Sequence, residues 1–165
     1  MAKIAIKPRI AWEDRWTQPT LEQLIEPLRE QTREIFQAMM EQIEQIEGTE
    51  QHLIWYGPAW RWTIEYRIPT HTGEPANLIY LVPNPETPVV SIPLPETIVA
   101  KLPVKRLNKY IRDGIRSAKC AVELHWAVWS PNAKTEVEHL GDLLRRKHKL
   151  LNDNPKNNGQ KNGQK

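Results

Sequence analysis

Few side chains in this chain could do chemistry, and their spacing mostly excludes familiar reactions. Five histidines stand at His52, His71, His125, His139 and His148, and no two have the helical i, i+4 spacing with an intervening glutamate that a zinc hydrolase uses. The single cysteine, Cys120, removes intrachain disulfides and multi-thiolate zinc clusters from consideration. It becomes a nucleophile only if a histidine approaches it in space. Its phase with Val122, Leu124 and Trp126 in an alternating run predicts a packed, inert thiol instead. His125 and Glu123 share the other phase of that run and read as an ordinary polar pair. Glycine-rich phosphate loops are absent, and seven glycines in the whole chain leave little room for a phosphate cradle. No catalytic residue, metal site or cofactor is therefore expected.

The best candidate for something specific is aromatic. Residues 52–68, HLIWYGPAWRWTIEYRI, form the densest apolar and aromatic run, with three of the seven tryptophans inside eight positions. Beyond Tyr56-Gly57-Pro58 the residues alternate, Trp60, Trp62, Ile64, Tyr66 and Ile68 against Arg61, Thr63, Glu65 and Arg67, the period-two signature of a half-buried strand. Trp60, Trp62 and Tyr66 on one face, with Tyr56 and Tyr80 on neighbouring strands, form either a core under helices or the lining of a small-molecule pocket. Arg61 and Glu65 are rim residues in the second case, provided a twist or bulge after Gly57 brings them round.

Charge offers a second candidate. Lys105, Lys109, Arg112 and Arg116 lie on one side of a helix predicted over 104–118, and residues 101–119 hold seven basic side chains against one acid. Residues 20–50 mirror this with eight glutamates and two arginines, so the two regions could face each other as readily as a ligand. The basic run 145–149 reads as the dipole-complementing end of a last helix. A net charge of only +3 disfavours a protein that coats nucleic acid.

These residues need a frame. A chain of 165 residues, 39% hydrophobic and 26% charged, fits one domain. Its start lacks a signal-peptide core and no apolar run reaches the ~18 residues needed to span a bilayer, so a soluble cytoplasmic protein with no membrane partner is the expectation. Residues 1–19 read as an extended arm partly lying against the body, 20–151 as the domain and 152–165 as a disordered tail. Within the domain, Thr20 and Gln23 fit a capping box opening a helical region interrupted at Pro27, and Gly48 stops it. Strands follow over 52–68 as a pair, at 78–82 and at 89–94, then helices around Pro103, a fifth strand over 120–129, and a helix after Ser130-Pro131 whose stripe is Val137, Leu140, Leu143, Leu144 and Leu151. The fold class expected is α+β: an antiparallel sheet of about five strands with helices on one face.

Several short motifs resemble a known family. Trp55-Tyr56-Gly57 with Trp60-Arg61-Trp62, the strand end Leu81-Val82-Pro83, the strand ending at Leu94 before a Pro/Glu helical turn, and the Tyr110-Ile111-Arg112 helix resemble the bacterial family called domain of unknown function 3788, and more distantly YdhG-type domains. The likeness runs over about residues 20–150 and departs from the pattern in the N-terminal arm and the Asn/Lys-rich tail. It implies a small cytoplasmic α+β domain and brings no catalytic residue. The functional expectation is non-catalytic binding of a small molecule or protein partner through the aromatic face, a homodimer included. The alternatives are a nucleic-acid accessory protein using the basic helix, and an enzyme of unknown reaction.

Overall fold

The computed structural model describes residues 9–153. The expected tail beyond Asp153 and the first eight residues of the arm lie outside the described residues. Thr20 caps α1 (Leu21–Ile25) through its hydroxyl while Gln23 returns a bond to the Thr20 N–H, the reciprocal pattern its spacing predicts. Pro27 falls in the break before α2 (Glu30–Glu44). The sheet strands are β1 (Glu50–Trp55), β2 (Trp62–Pro69), β3 (Pro75–Val82), β4 (Val89–Pro95), β5 (Lys119–Ala121) and β6 (Leu124–Trp129). They form one antiparallel sheet of six strands in the order β1-β2-β3-β4-β6-β5, with helices packed against it.

The sixth strand arises where one was expected. Val122 and Glu123 both have positive φ, 49° and 59°, and fold the 120–129 run into a two-residue hairpin. That turn reverses the chain, so Cys120 pairs with His125 and Lys119 with Trp126. Cys120 therefore leaves the phase of Leu124 and Trp126, and it is exposed rather than packed.

A second local reversal matters more. Gly57, with φ 78°, opens the helical turn α3 (Gly57–Trp60), and Arg61 leaves it with φ 56°. Strict alternation would have put Trp60 in phase with Trp62; the turn breaks the phase and sends the two indoles to opposite sides of the sheet. Trp62, Ile64, Tyr66 and Ile68 face the helices and are buried, with Ile79, Leu81, Ile92, Ala127 and Trp129 beside them in the same core. Glu65 and Thr63 face the other way. Residues 11–13 of the arm form a 3-10 turn that buries Trp12, whose indole N–H donates to the Trp60 carbonyl, while the Trp62 N–H donates to the Asp14 carbonyl at 2.6 Å.

The helix layer consists of α2, α5 (Lys109–Arg116) and α6 (Lys134–Asn152), with the short α4 (Glu96–Lys101) alongside. α6 starts at Lys134, three residues beyond Pro131, and packs against both α2 and α5. The acidic α2 and basic α5 thus both pack against α6. Two glycines set the spacing. A Cβ on Gly141 would stand 2.4 Å from the Gln42 amide oxygen, and one on Gly114 would stand 2.1 Å from the Trp129 indole nitrogen. The first neighbour is a flexible side-chain end; the second is a ring held in the core, its N–H donating to the Tyr110 carbonyl at 3.1 Å. Gly114→Ala is accordingly expected to cost about 1–3 kcal/mol through forced separation of α5 from β6, read as a lowered denaturant midpoint.

Candidate functional site

On the face away from the helices, four aromatic rings form a continuous cluster. Tyr56, at the end of β1, meets Trp60 and Tyr80 edge-on at centroid distances of 6.3 and 5.5 Å. Trp60 also meets Tyr80 at 5.5 Å and Trp126 at 6.2 Å, and Trp126 meets Tyr80 at 5.9 Å. Three of these pairs are edge-to-face and two are tilted, and aromatic pairs of this kind are worth about 0.5–1.5 kcal/mol each beyond area burial. The cluster covers Glu65, which is 1% exposed. A buried carboxylate needs partners. Oε1 accepts from the Tyr56 hydroxyl at 2.5 Å, and Oε2 accepts from Arg67 Nε and Nη2 at 2.8 and 2.7 Å. Burial first, and Glu65 second, push the Tyr56 hydroxyl well above the ordinary tyrosine range; burial and Glu65 also raise Tyr80. Both phenols stay protonated through neutral pH. Tyr80 accepts from the Asn77 amide at 2.6 Å.

The sheet is incomplete beside Tyr80. β3 and β4 pair only from Tyr80–Ser91 to Val82–Val89, whereas β4 continues against β6 as far as Pro95. Pro93 and Pro95 have no N–H with which to continue the ladder. On the other side of β3, a bulge between Tyr66 and Arg67 skips Leu78, so its backbone also lies outside the regular β2 register. Into this gap α6 inserts Lys147. Its ammonium donates to the carbonyls of Asn77 at 2.7 Å and Leu78 at 3.0 Å. Lys147 is 1% exposed, and none of the described carboxylates lies within ion-pair distance of it. Burial alone pulls it from 10.5 down to about 7.

A cavity of about 250 Å³ occupies the same gap. Tyr80 and Trp126 extend the aromatic cluster into its wall; Pro93, Pro95 and Leu124 continue that wall, and Ala76, Asn77, Leu151 and Lys147 complete it. The His71 ring, bonded to the Leu151 carbonyl at 2.9 Å, ties the end of α6 to the β2–β3 turn. A larger crevice of about 590 Å³ lies between the arm, Pro58, Arg61 and residues 84–86. It lacks a buried titratable side chain.

The seven aromatic-face candidates fall into three groups. Tyr56, Trp60, Glu65 and Tyr80 come together away from the helices. Trp62 and Tyr66 belong to the helix-facing core, the Tyr66 hydroxyl accepting from Gln51 at 2.8 Å. Arg61 turns to the arm, where its guanidinium lies 4.8 Å over the Trp12 ring and 3.0 Å from Glu13. The basic candidates do not share one regular helix: Lys105 sits in a 3-10 turn (Val104–Arg106), and Asn108 caps α5. Lys105, Lys109 and Arg116 are exposed, while Arg112 folds back to donate to the Lys105 carbonyl.

Two participants escaped the reading of residue types. Trp126 shares the phase of Leu124 and Val128, opposite the buried Ala127 and Trp129. The basic run 145–149 reads as a charged helix end, although Lys147 stands three residues beyond Leu144 and seven beyond Leu140, squarely on the buried stripe. No family model matches the chain, and no curated protein or solved structure matches it either.

The separation of the two indoles is measurable. Trp62→Ala should cost about 3–5 kcal/mol through lost core burial and a cavity, and Trp60→Ala about 1–2 kcal/mol because its ring is half-exposed, each read from denaturant midpoints. Equal losses would contradict the two-faced arrangement.

Lys147 makes a signed prediction with pH. Between about 7, where it loses its proton in the fold, and 10.5, its ordinary value, the unfolded chain holds one proton more. Stability therefore rises with pH from about 7, by at most ~1.4 kcal/mol per pH unit from this residue, and is flat below that, where both states are charged. Relative to Lys147→Met, the native chain should gain stability between pH 7 and pH 9 in urea titrations. Parallel profiles would contradict the burial of a titrating amine.

Proposed function

We propose that the chain binds a small, largely planar molecule carrying a carboxylate or another hydrogen-bond acceptor in the cavity between β3 and β4. The observation behind this reading is the fully buried Lys147, which joins a mostly apolar cavity wall without an acidic partner among the described residues. A lysine so placed has two fixed acceptors and donor capacity for a third. Tyr80 and Trp126 supply flat apolar surface beside it. Mostly apolar walls with one oriented polar group are characteristic of small-molecule sites, and a volume near 250 Å³, below the roughly 300–1,000 Å³ of drug-sized pockets, selects a small ligand. The role is recognition, with Lys147 orienting the ligand's acidic end and the aromatic wall its ring.

The test is a ligand-observed NMR screen of small aromatic carboxylates against their amides and parent hydrocarbons. The carboxylates should bind best and lose at least about tenfold in affinity with Lys147→Met, since a hydrogen bond to a charged group is worth about 1.5–3 kcal/mol. Filling the cavity with Ala76→Phe should remove binding while Trp60→Ala leaves it within a few-fold. Absence of binding at millimolar concentration, or binding indifferent to both Lys147→Met and Ala76→Phe, would overturn the proposal.

A further inference from the structure

On the opposite side of β6 from Trp126, three unlike metal-binding side chains converge. The two-residue turn at Val122–Glu123 places Cys120 directly across from His125, so both side chains point to the same face. The backbone N–H of Glu96 donates to the Glu123 carbonyl at 2.8 Å, which seats the first residue of α4 against that turn. The Glu96 Oε2, Cys120 Sγ and His125 Nε2 atoms all lie within 4.8 Å of one another. Three separate stretches of the chain thus deliver a carboxylate, a thiol and an imidazole to one point.

The choice of nitrogen separates two readings of this cluster. In a nucleophilic triad the acid orients the imidazole through one ring nitrogen while the other takes the proton from the nucleophile. Here His125 Nε2 alone faces both partners: it contacts Glu96 Oε2 and stands 3.9 Å from Cys120 Sγ. One nitrogen cannot relay a proton from the thiol and be oriented by the carboxylate at once. Convergence of three donor atoms is, however, the arrangement of a chelate. A zinc ion about 2.0 Å from an imidazole nitrogen and about 2.3 Å from a thiolate sets those ligand atoms about 3.5 Å apart at the tetrahedral angle, within a few tenths of an ångström of the 3.9 Å cross-strand separation.

We propose that Glu96, Cys120 and His125 form a divalent transition-metal site of the zinc class, separate from the cavity at Lys147. Cys120 enters as the thiolate, releasing its proton to solvent, and His125 enters as the neutral imidazole through Nε2. Glu96 is more than half exposed, its carboxylate already lies against His125 Nε2, and it supplies the third ligand. Three protein ligands leave a fourth position for water, and the mixed sulfur, nitrogen and oxygen set suits zinc or cobalt over magnesium or calcium.

Cobalt(II) titrated into the full chain tests this directly. The expected result is one equivalent bound with a thiolate-to-cobalt charge-transfer band, and displacement by zinc. The band should vanish in Cys120→Ser, and affinity should fall at least about tenfold in His125→Ala and in Glu96→Gln. Melting in the presence of a chelator checks folding, and Glu96→Gln, which keeps volume and hydrogen bonding, serves if either other variant melts early. A native chain with no charge-transfer band at millimolar cobalt, or metal binding equally tight in Cys120→Ser and Glu96→Gln, would overturn the proposal.

Discussion

The bond from Lys147 to the carbonyls of Asn77 and Leu78 is the contact on which the organisation of this sheet depends. A backbone carbonyl buried without a partner costs about as much as a lost hydrogen bond, and the split between β3 and β4 creates that situation beside the bulge at Leu78. Closing the split with continued pairing is hindered by Pro93 and Pro95. The ammonium from α6 satisfies the carbonyls instead and ties the helix layer to the sheet at the place where the strands part. Its cost is the desolvation of a charge, expressed in the fall of Lys147 to about 7. A gap held open by a side chain, rather than filled by a strand, is also what leaves the cavity.

The two faces of the sheet follow different physics. The helix side is a conventional close-packed core, with Phe36, Met39, Ile64, Tyr66, Leu81 and Leu140 fully or almost fully buried. The other side has no helix layer and is covered by aromatic rings over polar groups, among them Glu65 and Ser91, which are satisfied by Tyr56, Arg67 and the Ala127 carbonyl. A buried ion pair of this kind is weak evidence for stability, since hydrophobic replacements of similar volume are often neutral or better. Its presence under the cluster holds the Tyr56 ring in a set position through the hydroxyl bond to Glu65.

Much of this was legible in the residues themselves. Periodicity located the helices and the antiparallel α+β sheet, because a stripe at 3.6 or an alternation at 2 is fixed by which side of an element meets the core. Two of the failures share an origin. Arg61, Val122 and Glu123 adopt positive φ without being glycine, and each event resets the phase that alternation assumes. Trp60 consequently turns away from the helices, and Cys120 comes to the surface facing His125. Lys147 was obscured for a different reason. Its position on the apolar stripe was readable, but lysine is almost never fully buried without a partner, and its partners here are backbone carbonyls released by a bulge and by two prolines. Nothing in residue type announces those carbonyls. Over the described residues no helix is long and apolar enough to cross a membrane.

The most direct test of the central contact is the titration of Lys147 itself, followed through its Nζ by nitrogen-15 NMR with selective lysine labelling and assignment by Lys147→Met. The structure predicts a midpoint near 7 for this one amine, set by burial. A midpoint near the 10.5 of an ordinary lysine, together with rapid exchange of its ammonium protons, would contradict its placement in the gap between β3 and β4.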